Sequence, residues 1–141
     1  MLKRAVLLCL CLILIAGCNS KPETDEEKLN ALAMSFAKDY CAIFNTGDQK
    51  AAEHFISLYD PNAKHKPPTT QSLIKFIRQD YQPDAELSFS SVRNVAIQGY
   101  IAEVQVNLKV AHKKSGNSAE AVITVQAVKA NNQWKVADFH F

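Results

Sequence analysis

The sequence predicts an α+β domain in which N-terminal helices pack on a curved four-stranded antiparallel sheet. Between Thr24 and Pro83 apolar residues recur at steps of three and four, which is the period of an amphipathic helix. After Pro83 the period changes to two, which is the alternation of half-buried strands. Helices followed by a run of strands are typical of a helical layer on one face of an antiparallel sheet.

Three helices are predicted before Pro83. A capping box, Thr-Asp-Glu-Glu at 24–27, starts the first helix, and Gly47 ends its apolar stripe. Asp48 is suited to cap a second helix, and Thr70 to cap a third. The segment between these two helices contains consecutive prolines and is predicted to be a loop.

Four strands are predicted after Pro83. The first has a bulge where its alternation slips between Ser91 and Val95. The second, centred on 101–110, alternates cleanly between apolar and polar residues. The third and fourth, 119–130 and 133–141, are joined by a tight Asn-Asn turn. The four strands therefore form a meander.

The third strand is apolar on both of its faces. Val122 and Val128 point to one face, and Ala121, Ile123 and Val125 point to the other. A sheet that is apolar on both faces needs a cover on each. Because helices cover one face, we expect a second copy of the chain or an envelope protein to cover the other.

The amino-terminal segment predicts export. Two basic residues precede an uncharged apolar run, Ala5 to Ala16, which is shorter than the roughly 20 residues that a membrane-spanning helix needs. We interpret residues 1–17 as a lipoprotein signal peptide, 18–24 as a lipidated cysteine with a short tether, and 25–141 as a single α+β domain.

The end of this run resembles the lipobox of bacterial lipoproteins. The residues are Ile15-Ala16-Gly17-Cys18, and they depart from the usual pattern only in having Ile where Leu is common. The resemblance implies cleavage between Gly17 and Cys18, a diacylglycerol thioether on the Cys18 thiol and a further acyl chain, such as palmitate, on the new amino terminus. Two or more chains suffice for stable membrane anchoring. Asn19 follows the cysteine where an Asp would favour the inner membrane, so we expect the inner leaflet of the outer membrane, facing the periplasm.

Processing would change the composition on which function is argued. Cys9 and Cys11 would leave with the signal peptide and Cys18 would be acylated, so Cys41 would have no disulfide partner within the chain. Loss of two of the 16 basic residues would balance the 14 acidic ones. A neutral domain gives no electrostatic argument for nucleic-acid binding.

The order of elements and two weak motifs resemble the nuclear-transport-factor-2-like superfamily, also called SnoaL-like or cystatin-like. The motifs are an Asn-x-Gly-Asp turn at Asn45 to Asp48 and Trp-Lys-Val at Trp134 to Val136. The resemblance covers nearly all of the domain and is closest to small bacterial lipoproteins of unknown function. It implies a cone of curved sheet around a long helix, a pocket at the wide end, and dimers through the sheet in many members.

This resemblance leaves the function open. The superfamily includes ketosteroid isomerase, scytalone dehydratase and limonene epoxide hydrolase beside many binding and assembly modules, and a fold does not determine a function. We expect a lipid-anchored binding or assembly module that is not an enzyme. The alternatives are a small isomerase- or dehydratase-like enzyme with a pocket in the cone, and an accessory subunit of an envelope or secretion complex.

The candidate pocket draws on the first two helices and the last strand. Its predicted residues are Tyr40, Phe44, Tyr59, Trp134, Asp138 and His140. In a regular strand Asp138 and His140 share a face with Trp134, and Phe139 lies on the other face. A carboxylate beside an imidazole is suited to proton transfer in a dry pocket, although a polar outer face is the simpler interpretation. For both tyrosines, core packing is the simpler interpretation.

No metal or cofactor is predicted. The histidines lack the paired spacing of zinc ligands: they are His54, His65, His112 and His140. The basic loop that contains His65 is interpreted as solvated surface close to the membrane. Scattered glycines exclude a phosphate-binding loop.

Overall fold

The computed structural model describes residues 20–141, which form three helices and one four-stranded sheet. The helices are α1 (Asp25–Thr46), α2 (Gln49–Ser57) and α3 (Thr70–Ile77). The strands are β1 (Ala85–Gln98), β2 (Ile101–His112), β3 (Ser118–Ala130) and β4 (Gln133–His140). All neighbouring strands are antiparallel, in the order β1-β2-β3-β4. The predicted class, helices packed on a four-stranded antiparallel sheet, is confirmed.

Helix α1 begins and ends at the residues that its sequence indicates. Thr24 Oγ1 accepts a hydrogen bond from the Glu27 N–H, and the Glu27 carboxylate accepts one from the Thr24 N–H, which completes the capping box. Gly47 follows the helix in the left-handed conformation, with φ of +67°. A Cβ at this position would lie 2.9 Å from Arg78 Nη1. Glycine is therefore favoured both by the left-handed backbone and by the lack of room for a side chain.

The Asn-x-Gly-Asp turn joins α1 to two other elements. The Asn45 side chain donates to the Leu87 carbonyl at 2.8 Å and accepts from the Leu87 N–H at 2.9 Å, as a neighbouring strand would. Asp48 Oδ1 accepts from the Ala51 N–H at 2.9 Å and caps α2. This short motif therefore fixes the end of α1 on β1 and the start of α2.

The third helix is capped one residue earlier than predicted. Thr69 is in extended conformation and its Oγ1 accepts from the Ser72 N–H, whereas Thr70 is the first helical residue. Both threonines have the side chain that a cap requires, so the choice depends on the backbone angles, which the pattern of residues does not specify.

The Trp-Lys-Val motif fastens the other end of α1 to the sheet. The Asp25 carboxylate accepts from Lys129 Nζ at 2.8 Å and from Trp134 Nε1 at 3.0 Å. These two hydrogen bonds, that from Lys129 first, hold the pKa of Asp25 below its ordinary value. The indole of Trp134 thus has a polar partner at the edge of the core, as tryptophan usually requires.

The sheet bends where β1 is irregular. Its pairing with β2 shifts between Phe89 and Ser91 and again between Val92 and Asn94. The predicted slip overlaps the second shift, and the first lies ahead of it. Such bulges bend and twist a strand, so they curve the sheet.

The core lies between α1 and the inner face of the sheet. Phe36 and Phe55 are fully buried, with ring centroids 4.2 Å apart. The largest fully buried side chains from the sheet are Val104, Val106, Leu108, Ile123, Val125 and Val136. In the described part of the chain, buried residues occur only between Leu29 and Val136, so a chain that lacks residues 1–17 contains this whole core.

The outer face of the sheet is mixed rather than uniformly apolar. Val122 and Val128 are half-buried there, as their alternation predicts, but Thr124 and Gln126 lie between them on the same face. Exposed apolar side chains lie instead at the β1–β2 turn, where Tyr100 is 76% exposed and Ile101 is 59% exposed.

The predicted signal peptide, its cleavage site after Gly17 and the lipidation site Cys18 lie outside the described residues. Within residues 20–141, none of the helices has both the length and the apolar character needed to cross a membrane.

Candidate functional site

A cavity of about 690 Å³ opens beside the C-terminal half of α1. Its apolar lining comprises Tyr40, Phe44, Leu73, Phe76, Ile77, Phe139 and Phe141, beside the prolines of the loop before α3. Its polar lining comprises His65, Ser72, Gln79, Asp80, Asp138 and His140. A cavity of this size, with mainly apolar walls and a few polar groups, is typical of small-molecule sites.

A bulge in β4 decides which of its last side chains face the core. Asp138 pairs with Gln126 and Val136 pairs with Ala127, so Ala137 is an extra residue in β4. Because side chains alternate along a strand, one extra residue reverses the alternation beyond it.

The bulge places Phe139 on the inner face. Its ring packs edge-on to Phe36, with centroids 5.2 Å apart. The prediction that Asp138 and His140 share a face with Trp134 is therefore wrong, because it assumed a regular strand.

Asp138 pairs with His65 from the loop before α3. The His65 Nδ1 lies 2.6 Å from Asp138 Oδ2, and both residues line the cavity. Asp138 Oδ1 also accepts from the Phe139 N–H at 2.9 Å. The acid–base pair at the end of β4 is thus His65 with Asp138, in place of the predicted pair of Asp138 with His140.

The backbone before this loop explains how His65 reaches β4. The Val136 N–H donates to the Leu58 carbonyl, and the Asp60 N–H donates to the Val136 carbonyl, each at 2.8 Å. These bonds hold the chain after α2 along the free edge of β4. The prediction that His65 is solvated holds, since its side chain is 57% exposed, but the structure also places it in the lining of the cavity.

The pKa of Asp138 lies below its ordinary value. Partial burial acts to raise this pKa, but the hydrogen bonds from His65 and from the Phe139 N–H, with the charges that His65 and His140 carry when protonated, outweigh it. An ionised carboxylate only accepts hydrogen bonds, so His65 Nδ1 carries the shared proton. The second ring nitrogen, Nε2, is then an acceptor in the neutral imidazole.

Tyr40 supplies both an aromatic wall and a phenol. Its ring lies edge-on to Phe139 and Phe141, with centroid distances of 6.0 and 5.4 Å. Burial raises the pKa of Tyr40 to about 12, and the charges of Cys41 and Asp80 act in the same direction. The hydroxyl is therefore protonated at neutral pH.

Two of the six predicted pocket residues lie elsewhere. Tyr59 is 2% exposed and packs beside Phe36 and Phe55 in the core, where burial, and then the charge of Asp138, raises its pKa. Trp134 lies at the opposite end of α1, as described above. The cavity brings together the remaining four: Tyr40, Phe44, Asp138 and His140.

A second His–Asp pair has the same geometry in different surroundings. His54 Nδ1 lies 2.6 Å from Asp39 Oδ2 and links α2 to α1, and neither residue lines the cavity. Burial raises the pKa of Asp39, despite the hydrogen bond from His54. This pair is therefore a natural internal comparison for His65 and Asp138.

Sequence reasoning missed the contribution of α3. Leu73 and Ile77 are buried, whereas Phe76, which also lines the cavity, is 55% exposed. A short helix with more apolar side chains than one packing face can bury is a signal for such a wall, and α3 has that pattern.

The part of the chain that the structure describes contains no cluster of side chains suited to bind a metal ion. Among residues 20–141, no three His, Cys, Asp or Glu side chains come together as metal ligands do. Cys41 is buried on α1, and burial raises the pKa of its thiol to about 12.

Comparison with known proteins identifies relatives in structure only. No protein-family model matches the chain, and no curated protein matches its sequence. A protein of unknown function with a cystatin-like fold from Nostoc punctiforme has a TM-score of 0.53 at 14% identity, covering 84% of this chain and 92% of its own. A nuclear-transport-factor-2-like protein with a cystatin-like fold from Novosphingobium aromaticivorans has a TM-score of 0.53 at 14% identity, covering 94% and 84%. A nuclear-transport-factor-2-like protein of unknown function from Shewanella oneidensis has a TM-score of 0.51 at 16% identity, covering 83% and 98%.

The class of protein follows from these observations: an α+β domain with three helices on one face of an open antiparallel meander. More particularly, the chain has the nuclear-transport-factor-2-like, or cystatin-like, fold, and the predicted resemblance is confirmed at that level. Sequence identities this low establish the fold alone, and a fold hosts many functions.

Proposed function

We propose that this chain is a lipid-anchored binding module of the bacterial envelope whose cavity holds a small, mainly apolar molecule with one polar group. The observation that carries the proposal is the cavity of about 690 Å³ with aromatic walls at the C-terminal end of α1. Its volume is within the range of pockets for small organic molecules.

The walls favour a flat or flexible apolar body. Tyr40, Phe44 and Phe139 are held by the core, so their rings present a preformed surface. Phe76 and Phe141 are 55% and 64% exposed beside them and have apolar surface left to cover. Aromatic rings of this kind offer large contact areas at low cost in conformational entropy.

The polar groups favour one orientation of such a ligand. His65, Asp138 and His140 come from one pair of neighbouring segments, and Asp80 follows α3. A few polar groups in an apolar cavity fix the position of a ligand more than they contribute to affinity. The polar end of the ligand therefore lies beside them.

The anchor explains where the module works. Residues 20–24 are exposed and precede α1 directly, so lipid on Cys18 would keep the domain within a few residues of the membrane. The lipobox resemblance and Asn19 support the periplasmic side of the outer membrane as its location.

A small isomerase- or dehydratase-like enzyme is the second candidate, and the His65–Asp138 pair favours it. An oriented imidazole beside the Tyr40 phenol is suited to proton transfer. The side chains of His65 and Asp138 are, however, 57% and 36% exposed, whereas such chemistry needs a site that excludes water. We therefore prefer binding to catalysis.

Assembly is a further candidate role, either as a homodimer or as a subunit of an envelope or secretion complex. The exposed side chains of Tyr100 and Ile101 beside half-buried Val128 support contact through the outer face of the sheet. The polar residues that separate Val122 from Val128 limit the apolar area available for it.

The anchor is tested by labelling with a fatty-acid analogue in the native host. Cys18→Ala should give unlabelled, unprocessed precursor, and Cys41→Ala, as the matched control, should be processed and labelled normally. Labelled Cys18→Ala protein would show that the anchor assignment is wrong.

The cavity is tested by native mass spectrometry of a variant that lacks residues 1–17 and carries Cys18→Ser. We expect a bound small molecule in this protein and its loss in Gln79→Trp, which fills the cavity from an exposed lining position. Gln82→Trp, an exposed site that does not line the cavity, is the control. Bare chain in all three proteins would contradict the proposal, and a dimer mass would support assembly.

A further inference from the structure

We propose that His65, held in one tautomer by Asp138, is the hydrogen-bond acceptor of the cavity, and that the ligand therefore presents a neutral hydroxyl or N–H donor to it. This assignment rests on the proposed function and specifies the class of ligand at the same site.

The carboxylate of Asp138 is fixed at both oxygens. Oδ2 lies 2.6 Å from His65 Nδ1, and Oδ1 accepts from the Phe139 N–H at 2.9 Å. An ionised carboxylate has no proton to give, so the short contact requires the proton on Nδ1. With the proton on Nδ1, the lone pair of the neutral form of the ring is on Nε2.

The other ring nitrogen has no competing partner in the protein. Within residues 20–141, His65 Nε2 takes part in none of the hydrogen bonds, and His65 is one of the residues that line the cavity. A ligand that donates to Nε2 replaces only water there. A ligand without a donor displaces that water and leaves the lone pair unsatisfied, which weakens binding.

The charges around the cavity disfavour a ligand that carries a carboxylate or a phosphate. Asp80 and Asp138 both line it, and Asp138 is already satisfied by His65 and its own backbone. A ligand carboxylate or phosphate at the same end would lie near these two carboxylates, and like charges repel. A neutral donor meets no such repulsion.

The matched His–Asp pair elsewhere in the fold makes this testable. His54 and Asp39 have the same 2.6 Å contact between Nδ1 and Oδ2, but they lie outside the cavity. Substitution in that pair removes a His–Asp contact of the same length without changing the proposed acceptor. It therefore separates a role in ligand recognition from a general effect on the fold.

The test uses two probes of equal shape, 2-naphthol and 2-methylnaphthalene, which differ by a hydroxyl in place of a methyl group. Their dissociation constants are measured by fluorescence titration at neutral pH with the chain that lacks residues 1–17 and carries Cys18→Ser. The informative quantity is the ratio of the two constants, because the apolar contribution of the shared rings cancels in it.

We expect His65→Ala to reduce the preference for 2-naphthol by about 3- to 10-fold, the usual worth of one hydrogen bond. His65→Phe, which keeps a ring on the cavity wall, should reduce it equally. Asp138→Asn should reduce it in part, because an amide allows either tautomer of His65. His54→Ala should leave the ratio unchanged.

The outcomes distinguish this assignment from the proposed function. If both probes bind and the ratio is the same in wild-type and both His65 variants, His65 is not the acceptor, although the cavity binds ligands. If neither probe binds, and native mass spectrometry of Gln79→Trp gives the same result as that of the parent protein, the proposed function and this assignment are both wrong.

Discussion

Two groups of aromatic side chains meet in this fold and differ in how well they are covered. The packed cluster consists of Phe36, Phe55 and Tyr59, which are at most 2% exposed. The cavity cluster consists of Tyr40, Phe44, Phe76 and Phe141, among which exposure reaches 64%. Phe139 contacts members of both. The same residue types therefore serve as core in one place and as open wall in the other.

The difference arises from what lies over each group. Helix α2 lies against α1 and supplies Phe55 to the packed cluster, whereas α3 and the loop before it line the cavity beside the second half of α1. Dense packing supplies stability, and incompletely covered rings supply a surface for another molecule. Substitutions in the two clusters should therefore have separable effects.

The largest effect is expected from Phe36→Ala. Removing a fully buried phenyl ring leaves a void and should lower the free energy of unfolding by about 3–5 kcal/mol. Phe76→Ala, at 55% exposure, should lower it by less than about 1 kcal/mol and should weaken probe binding. Urea unfolding of both variants checks this. Equal losses would show that the two clusters are not distinct.

The next effect concerns the turn that positions the cavity end of α1. Gly47 and Gly116 both have φ near +70°, where an L-residue costs roughly 1–2 kcal/mol. A Cβ at Gly47 would also meet Arg78, which follows α3, whereas a Cβ at Gly116 has no atom within 4 Å. Gly47→Ala should therefore destabilise more than Gly116→Ala and should also weaken probe binding. Equal destabilisation would argue that Arg78 simply moves away.

Trp134→Phe should separate stability from the cavity at a smaller scale. The change removes the hydrogen bond from Nε1 to Asp25 and should cost about 0.5–1.5 kcal/mol in unfolding free energy. Because Trp134 lies outside the cavity, probe affinity should stay unchanged, in contrast to His140→Ala at the cavity wall. A loss of affinity in Trp134→Phe would show that Trp134 contributes to the binding site after all.

The parts of the fold that sequence could predict are those fixed by local contacts. The capping box before α1, the left-handed Gly47 and the Asp48 cap act within four residues, so their side chains alone indicate them. The change of apolar period at Pro83 reflects burial on one face, which likewise depends on spacing along the chain.

The site was less predictable because its parts meet through long-range contacts. The Ala137 bulge has no characteristic side chain, yet it reverses the faces of Asp138 and Phe139. His65 reaches Asp138 only because the chain after α2 pairs with the edge of β4. No spacing rule connects residues 73 positions apart, so the pair could be found only after the edge pairing was known.

The smallest expected effect is on the pH dependence of stability, where Asp138 and Asp39, the carboxylates of the two His–Asp pairs, act with opposite signs. The ordinary carboxyl pKa is 3.8, and folding lowers that of Asp138 but raises that of Asp39. Asp138 therefore contributes stability above its unfolded pKa and loses it as the pH falls through the lower, folded pKa. Asp39, through burial, releases its proton less readily in the folded state, so its contribution becomes less favourable as the pH rises through its raised pKa.

Asp138→Asn should therefore flatten the rise of unfolding free energy with pH at and just below the ordinary carboxyl pKa of 3.8, and Asp39→Asn should steepen it just above that pKa. Both changes should be small, because Asp138 is partly exposed and the hydrogen bond from His54 offsets part of the effect at Asp39. Urea midpoints across this pH range, for both variants and the parent protein, measure the two slopes. Slopes that change in the same direction would mean that the two carboxylates occupy equivalent environments, and the contrast between the two His–Asp pairs would fail.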